Sequence, residues 1–209
     1  RHGVLPLDDR MFELFAPRFL PNSPHPVDRR YVYRPPMSPL PGQAAAAIGG
    51  RAFDLTARVT REAGDEGVLF ATGTENSGIS VFVQNDRLVV DYNAFDDHTI
   101  LESEVEIPPG DSTLVVQVRR GDGRAGSMAL AIDGRPVGSA DLHLFMRMMS
   151  SVGPSIAHDH GSPVSNRYEA PYPFTGTLNE IVIQLLSRED VATEQAARAA
   201  EAAAEMSRQ

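Results

Sequence analysis

From Gly50 onward the chain is written as short runs in which every second residue is apolar, broken at intervals by Gly, Asn or Asp. A period of two places successive side chains on opposite faces of a strand, and many short strands at regular spacing build a sandwich or jelly roll. The runs predict strands over 52–61, 67–73, 79–84, 87–92, 99–107, 112–119, 127–132, 135–142 and 176–186. Two connections, Asn85-Asp86 and Asp133-Gly134, are two residues long and use residues that tolerate positive φ, as a tight hairpin requires. Leu114, Val116 and Val118 alternate, as do Met128, Leu130 and Ile132, so one face of each strand is expected in a shared two-layer core. Phe53, Leu55, Ala57 and Val59 are expected to meet Ile181, Ile183 and Leu185 in that same core, bringing the two ends of the sandwich into one sheet.

The fold class expected is therefore mainly β, an antiparallel β-sandwich of the jelly-roll, concanavalin-like kind over 48–187, with an extension on either side. Residues 1–47 hold Pro6, Pro17, Pro21, Pro24, Pro26, Pro35, Pro36, Pro39 and Pro41. Each ring removes a backbone donor and biases its predecessor toward extended geometry, which rules out a helix bundle or a central strand there. Leu5, Leu7, Phe12, Phe15, Phe19, Tyr31 and Tyr33 nevertheless give the segment large apolar side chains, so it reads as an arm that packs on a surface. A short helix over 8–16, capped by Asp8 or Asp9 and stopped by Pro17, is expected within it. Residues 188–209 are rich in Ala and Glu and predict a terminal helix.

Charge and composition narrow the chemistry. The formal net charge is -9, and all 19 basic residues are Arg, a balance that speaks against the phosphate neutralisation of a nucleic-acid partner. Apolar runs such as Leu88–Val90 are strand-sized, so no membrane-spanning helix is expected. Cysteine is absent, which removes disulfides, thiolate metal sites and cysteine nucleophiles. The chain opens on Arg1-His2-Gly3 without an initiator Met or a signal peptide, which points to a fragment or processed product. Compartment, whether cytoplasm or periplasm, and oligomeric state are not written in these residues.

Two clusters are candidates for a site. His158, Asp159 and His160 are ordinary ligands for zinc and its neighbours. In an extended segment only His158 and His160 would share a face, and a third ligand would have to come from elsewhere. The bland alternative is a polar loop in which Asp159 accepts backbone N–H groups on the way to Gly161. Asp91, Tyr92, Asn93, Asp96 and Asp97, with Phe95 among them, could hold calcium through oxygens or a sugar through stacking and carboxylate hydrogen bonds. They lack the spaced pattern and glycine of a calcium loop, so solvated turn residues are the competing reading. No Gly-x-Ser-x-Gly elbow and no glycine-rich phosphate loop is present. No catalytic residue and no cofactor is expected in this chain.

Three stretches taken together carry a resemblance. Gly3-Val4-Leu5-Pro6-Leu7-Asp8-Asp9-Arg10 opens the chain, Leu88-Val89-Val90-Asp91-Tyr92-Asn93 stands in the middle, and Gly161-Ser162-Pro163-Val164-Ser165 runs through Tyr168 to Pro173-Phe174-Thr175-Gly176-Thr177. The sequence resembles the C-terminal portion of bacterial arylsulfatases over most of its length. The resemblance implies a parent enzyme that hydrolyses sulfate esters with a formylglycine and a divalent metal, usually calcium, both held in a catalytic domain. That domain would be the arm's partner, in cis or in trans. No Cys- or Ser-x-Pro-x-Arg sequence occurs here, so no catalytic or metal residue carries over. The matching positions Asp159, Gly161, Pro163, Val164 and Tyr168 are expected to be structural. The chain would then be an accessory region bordering the parent's cleft; the alternative is a free-standing concanavalin-like module that binds a carbohydrate or a peptide.

Overall fold

The computed structural model describes residues 29–37, 40–41, 45–146 and 153–187. The helices expected over 8–16 and in the tail lie outside those residues, as does the apolar first part of the arm. Among the described residues there is no helix, and eleven strands form two antiparallel sheets. They are β1 (Arg30–Tyr33), β2 (Phe53–Arg61), β3 (Gly67–Thr74), β4 (Ser77–Gln84), β5 (Arg87–Ala94), β6 (His98–Glu102), β7 (Gly110–Arg120), β8 (Gly126–Ile132), β9 (Arg135–Leu142), β10 (Ser155–Ile156) and β11 (Thr177–Leu185). The first sheet runs in the order β1-β11-β2-β7-β8-β9, the second in the order β10-β3-β4-β5-β6.

The first sheet is built on the alternation that the sequence shows. Leu55 stands opposite Ile183 and Ala57 opposite Ile181, while on the other side Leu55 meets Val116 and Ala57 meets Leu114. All are buried, and they pack on Ile79, Val81, Val83, Leu88, Val90 and Tyr92 of the second sheet in one continuous core. The two expected hairpins are present: Asn85 and Asp86 turn with φ 51 and 61, and Asp133 and Gly134 with φ 49 and 79.

Part of the Pro-rich segment belongs to the sandwich itself. β1 adds to the edge of the first sheet beside β11, where its outer side needs no partner, and Pro35-Pro36 follows where pairing stops. Tyr31 and Tyr33 point into the core, and the Tyr33 hydroxyl accepts the Ala46 N–H at 2.9 Å. The strand expected over 99–107 ends at Glu102. Ser103 ends it, because its hydroxyl accepts the Leu88 N–H at 3.1 Å and donates to the Val105 carbonyl at 2.6 Å, turning the backbone away from β5.

Sequence reasoning misses the covering of the second sheet. Its outer face is not solvent-exposed: Val68, Ala71, Phe82 and Val89 pack there against Val164 and Tyr168 in a second, smaller cluster. The cover is the strap of residues 157–176 that joins β10 to β11. Gly67 makes room for its return, since a Cβ there would sit 2.3 Å from the Pro173 oxygen, on a backbone with φ +126. At the other end, Arg61 is buried at the end of β2. It donates to the Ile107 carbonyl at 2.7 Å and pairs with Asp86, which also accepts the Gly64 N–H at 2.8 Å, so the β2–β3 and β4–β5 turns are tied together.

Candidate functional site

β5 distributes the candidate cluster between three environments, as a strand's alternation must. Tyr92 faces the main core, where its ring lies near Phe145 and its hydroxyl accepts the Met146 N–H at 2.9 Å. Burial pushes its hydroxyl up to about 12. Asp91 and Asn93 face outward, beneath the strap. Asp91 is fully buried, with His98 Nδ1 at 2.9 Å and 3.0 Å from its two oxygens and the Ser165 hydroxyl donating to Oδ2 at 2.6 Å. Burial holds this carboxyl above the ordinary aspartate range, against the opposing pull of Ser165, His98 and Arg167. Asn93 Nδ2 donates to the Glu75 carbonyl at 2.7 Å and to the Val164 carbonyl at 3.1 Å, and its Oδ1 accepts the Asp96 N–H at 2.9 Å.

Ser165, Asp91 and His98 hold the residue types of a hydrolytic triad in the wrong order. The carboxylate sits in the middle and accepts the serine's hydrogen bond itself, so the serine donates to an acid and not to an imidazole. A nucleophile needs its base within hydrogen-bond reach, and here that place is filled by a group that holds the hydroxyl still. The arrangement is a fastening between sheet and strap.

Beyond Asn93 the chain leaves the protected face. Ala94 N–H bonds to the Asp97 carbonyl at 2.9 Å, and the two residues between them, Phe95 and Asp96, have φ 60 and 69. Phe95 is 69% exposed, the most exposed large apolar side chain among the described residues, and the Asp96 side chain is open to solvent beside it. Asn93 anchors this turn to the β3–β4 turn through Glu75, whose N–H bonds to the Ser162 hydroxyl at 3.3 Å. Three loops therefore meet at one end of the second sheet, and Phe95, Asp96 and Asp97 on one of them and Glu75 on another are exposed. Asp91, Tyr92 and Asn93 are thus internal supports, while Asp96 and Asp97 are presented to solvent.

The second candidate cluster lies in the strap. Asp159 turns inward and is 2% exposed; its Oδ2 accepts the Val164 N–H at 2.9 Å and the Tyr168 hydroxyl at 2.6 Å. Tyr168 also reaches the Ser80 hydroxyl at 2.7 Å. Burial raises the Asp159 carboxyl and, with the neighbouring carboxylate, drives the Tyr168 hydroxyl far above the ordinary tyrosine range, so it remains a donor. His158 donates from Nδ1 to the Ile156 carbonyl at 3.0 Å, and His160 Nδ1 contacts the Ser155 hydroxyl. Both rings are thereby tied back to β10, their centroids 6.4 Å apart, and among the described residues no three His, Asp or Glu side chains converge as a metal site would require. Asp159, Val164 and Tyr168 form one hydrogen-bonded unit. Ser80 and His98, which complete the fastening, gave no signal, because their partners stand 88 residues on in one case and across a hairpin in the other.

No protein-family profile matches the sequence, and no curated protein matches it. Solved structures do resemble it in shape. The NanB sialidase from Streptococcus pneumoniae matches with a TM-score of 0.50 at 13% identity, covering 70% of this chain and 24% of the sialidase. A SAP-like pentraxin from Limulus polyphemus matches with a TM-score of 0.42 at 17% identity over 66% of each chain. The mouse laminin alpha1 chain domains LG4-5 match with a TM-score of 0.44 at 13% identity, over 77% of this chain and 41% of theirs. The chain spans about a quarter of the length of the sialidase it matches. At such identities the likeness is one of fold, and together with the two antiparallel sheets it marks this chain as a concanavalin-like, jelly-roll β-sandwich.

Proposed function

We propose that this chain is a non-catalytic binding module that takes a neutral glycan at the loop end of its second sheet, with Phe95 as the platform. The observation that carries the reading is a comparison of its own turns. Two tight turns with φ above zero use Asn85-Asp86 and Asp133-Gly134, residues that suit that backbone, while the third puts an exposed phenylalanine there. A bulky residue in the left-handed region costs about 1–2 kcal/mol relative to Gly or Asn. Among the described residues nothing repays that cost, because Phe95 packs into neither core cluster. A flat aromatic face offered to water beside two carboxylates suits a sugar ring, whose C–H face meets the negative π-surface while its hydroxyls donate to Asp96 and Asp97. Titration calorimetry against a panel of neutral oligosaccharides tests it. Saturable binding is expected, with Phe95→Ala weakening it roughly tenfold, the measure of one aromatic contact. Equal affinity in the variant, or no binding across the panel, overturns the reading.

A second reading takes the chain as the accessory end of an arylsulfatase-like hydrolase. It is supported by the way Asp159, Val164 and Tyr168, quoted above for the resemblance, come together as one unit. An in-frame Cys- or Ser-x-Pro-x-Arg in the DNA upstream of Arg1 would favour it, and uninterrupted stop codons there would remove it.

A further inference from the structure

The strap is fastened to the sheet in an unusual manner. Its two ends are pinned by backbone hydrogen bonds, Ala157 N–H to the Leu69 carbonyl at 3.0 Å and Val68 N–H to the Tyr172 carbonyl at 2.9 Å. Both pinned residues have left-handed backbones without being glycine, Ala157 with φ 64 and Tyr172 with φ 38. Between them, the bond from Asp159 N–H to the Pro171 carbonyl at 2.8 Å joins the outgoing and returning arms to each other. The hydrogen bonds that tie 158–171 to the sheet run through side chains: Ser165 to Asp91, Tyr168 with Ser80, Asn93 to the Val164 carbonyl, and Gln84 to the Arg167 carbonyl. Arg167 adds a pair with Glu102 at 3.2 Å. A unit that is closed on itself, pinned at two strained points and held in between by side chains can leave the sheet without breaking a ladder.

We propose that residues 158–171 are a hinged strap that swings off the outer face of the second sheet as one unit, turning at Ala157 and Tyr172. Closure buries two carboxylates, and the surroundings of each decide how acidity acts. Asp91 is faced by His98 from β6, by Ser165 and Arg167 from the strap and by Ser80 of β4, its register partner. Asp159 is faced by Tyr168, His158 and His160 of the strap and, through Tyr168, by Ser80. For both, burial outweighs the hydrogen bonds and nearby groups that favour the charged form and raises the carboxyl above its ordinary value in the closed state. A group that binds its proton more tightly when closed favours closure at low pH. Opening therefore increases as pH rises from the ordinary aspartate value to the raised one, and levels off above it.

Limited trypsinolysis of the full chain reads this directly. Arg167 lies inside the strap, Arg124 is exposed in a loop of the first sheet, and Arg61 is buried at the end of β2. Cleavage after Arg167, normalised to Arg124, is expected to outrun cleavage after Arg61 about tenfold or more and to rise as the pH is raised above the ordinary aspartate value. Ser165→Ala, which removes one fastening of the closed form, should raise the Arg167 rate and, by the same factor, the much slower Arg61 rate, leaving their ratio unchanged. Cleavage after Arg167 at the Arg61 rate would mean that the strap comes away only with global unfolding, and would overturn the proposal. So would a normalised rate that does not change with pH.

Discussion

Tyr168→Phe isolates the energy stored under the strap, because it removes one oxygen atom and leaves the ring. The ring keeps its edge contact with Phe82 at 5.1 Å and its stack on Tyr172 at 5.2 Å. The lost hydroxyl donates to Asp159 at 2.6 Å and meets Ser80 at 2.7 Å. A hydrogen bond to a carboxylate contributes about 1.5–3 kcal/mol and a neutral one about 0.5–1.5 kcal/mol, so the variant should be about 2–4 kcal/mol less stable near neutral pH. In a urea titration that is a midpoint lowered by about 1 M or more at unchanged slope. The pH dependence is the sharper check. Asp159 has a folded-state pKa above its unfolded value, so its unfavourable contribution is absent below the unfolded pKa and grows as pH rises toward the folded one. The Tyr168 hydroxyl favours the charged carboxylate; without it the folded pKa rises further and the variant suffers more at neutral pH than the parent does. The gap between the two proteins should accordingly be widest near pH 7 and narrow toward about pH 4. A difference below about 0.5 kcal/mol, or a gap that widens on acidification, would refute a buried, charge-assisted bond at this position.

Other outcomes follow from the same geometry. Phe95→Asn should raise stability by about 1 kcal/mol, since Asn tolerates the left-handed turn, while removing glycan binding; thermal melts and calorimetry on one sample check both, and a loss of stability would show that Phe95 is structural. Gly67→Ala should cost about 2–4 kcal/mol by urea titration, because its Cβ meets the Pro173 oxygen and the φ of +126 is closed to it. Arg61→Met should be destabilising because Asp86 and the Ile107 carbonyl lose their donor, and Asp86→Asn, which keeps an acceptor for Gly64, should be milder; equal melting temperatures for both variants and the parent would dismiss the tie between the turns.

The parts of this molecule legible in its sequence are those whose physics is local. Strand alternation depends on nearest neighbours, so the match of Leu55 and Ala57 with Ile183 and Ile181 could be read off before any coordinates, as could the turns at Asn85-Asp86 and Asp133-Gly134. β10 could not: two residues carry no period, and Ser155 and Ile156 become a strand only because Ala71 and Phe70 are already in place to receive them. The same holds for the candidate cluster. Asp91 and Asp96 are equal as sequence, two aspartates near aromatics, yet one is buried and one is solvent-exposed. What separates them is the strap, which arrives more than sixty residues later and covers the face that alternation alone would have left to water. A sheet that is apolar on both faces announces a cover without naming it, and the outward residues Val68, Phe82 and Val89 were that announcement. Phe95 carries the complementary signal. An aromatic at the apex of a two-residue turn contradicts the local preference that the other two turns obey, and where local preference and structure disagree without a packing reason, a ligand is the physical explanation to test first.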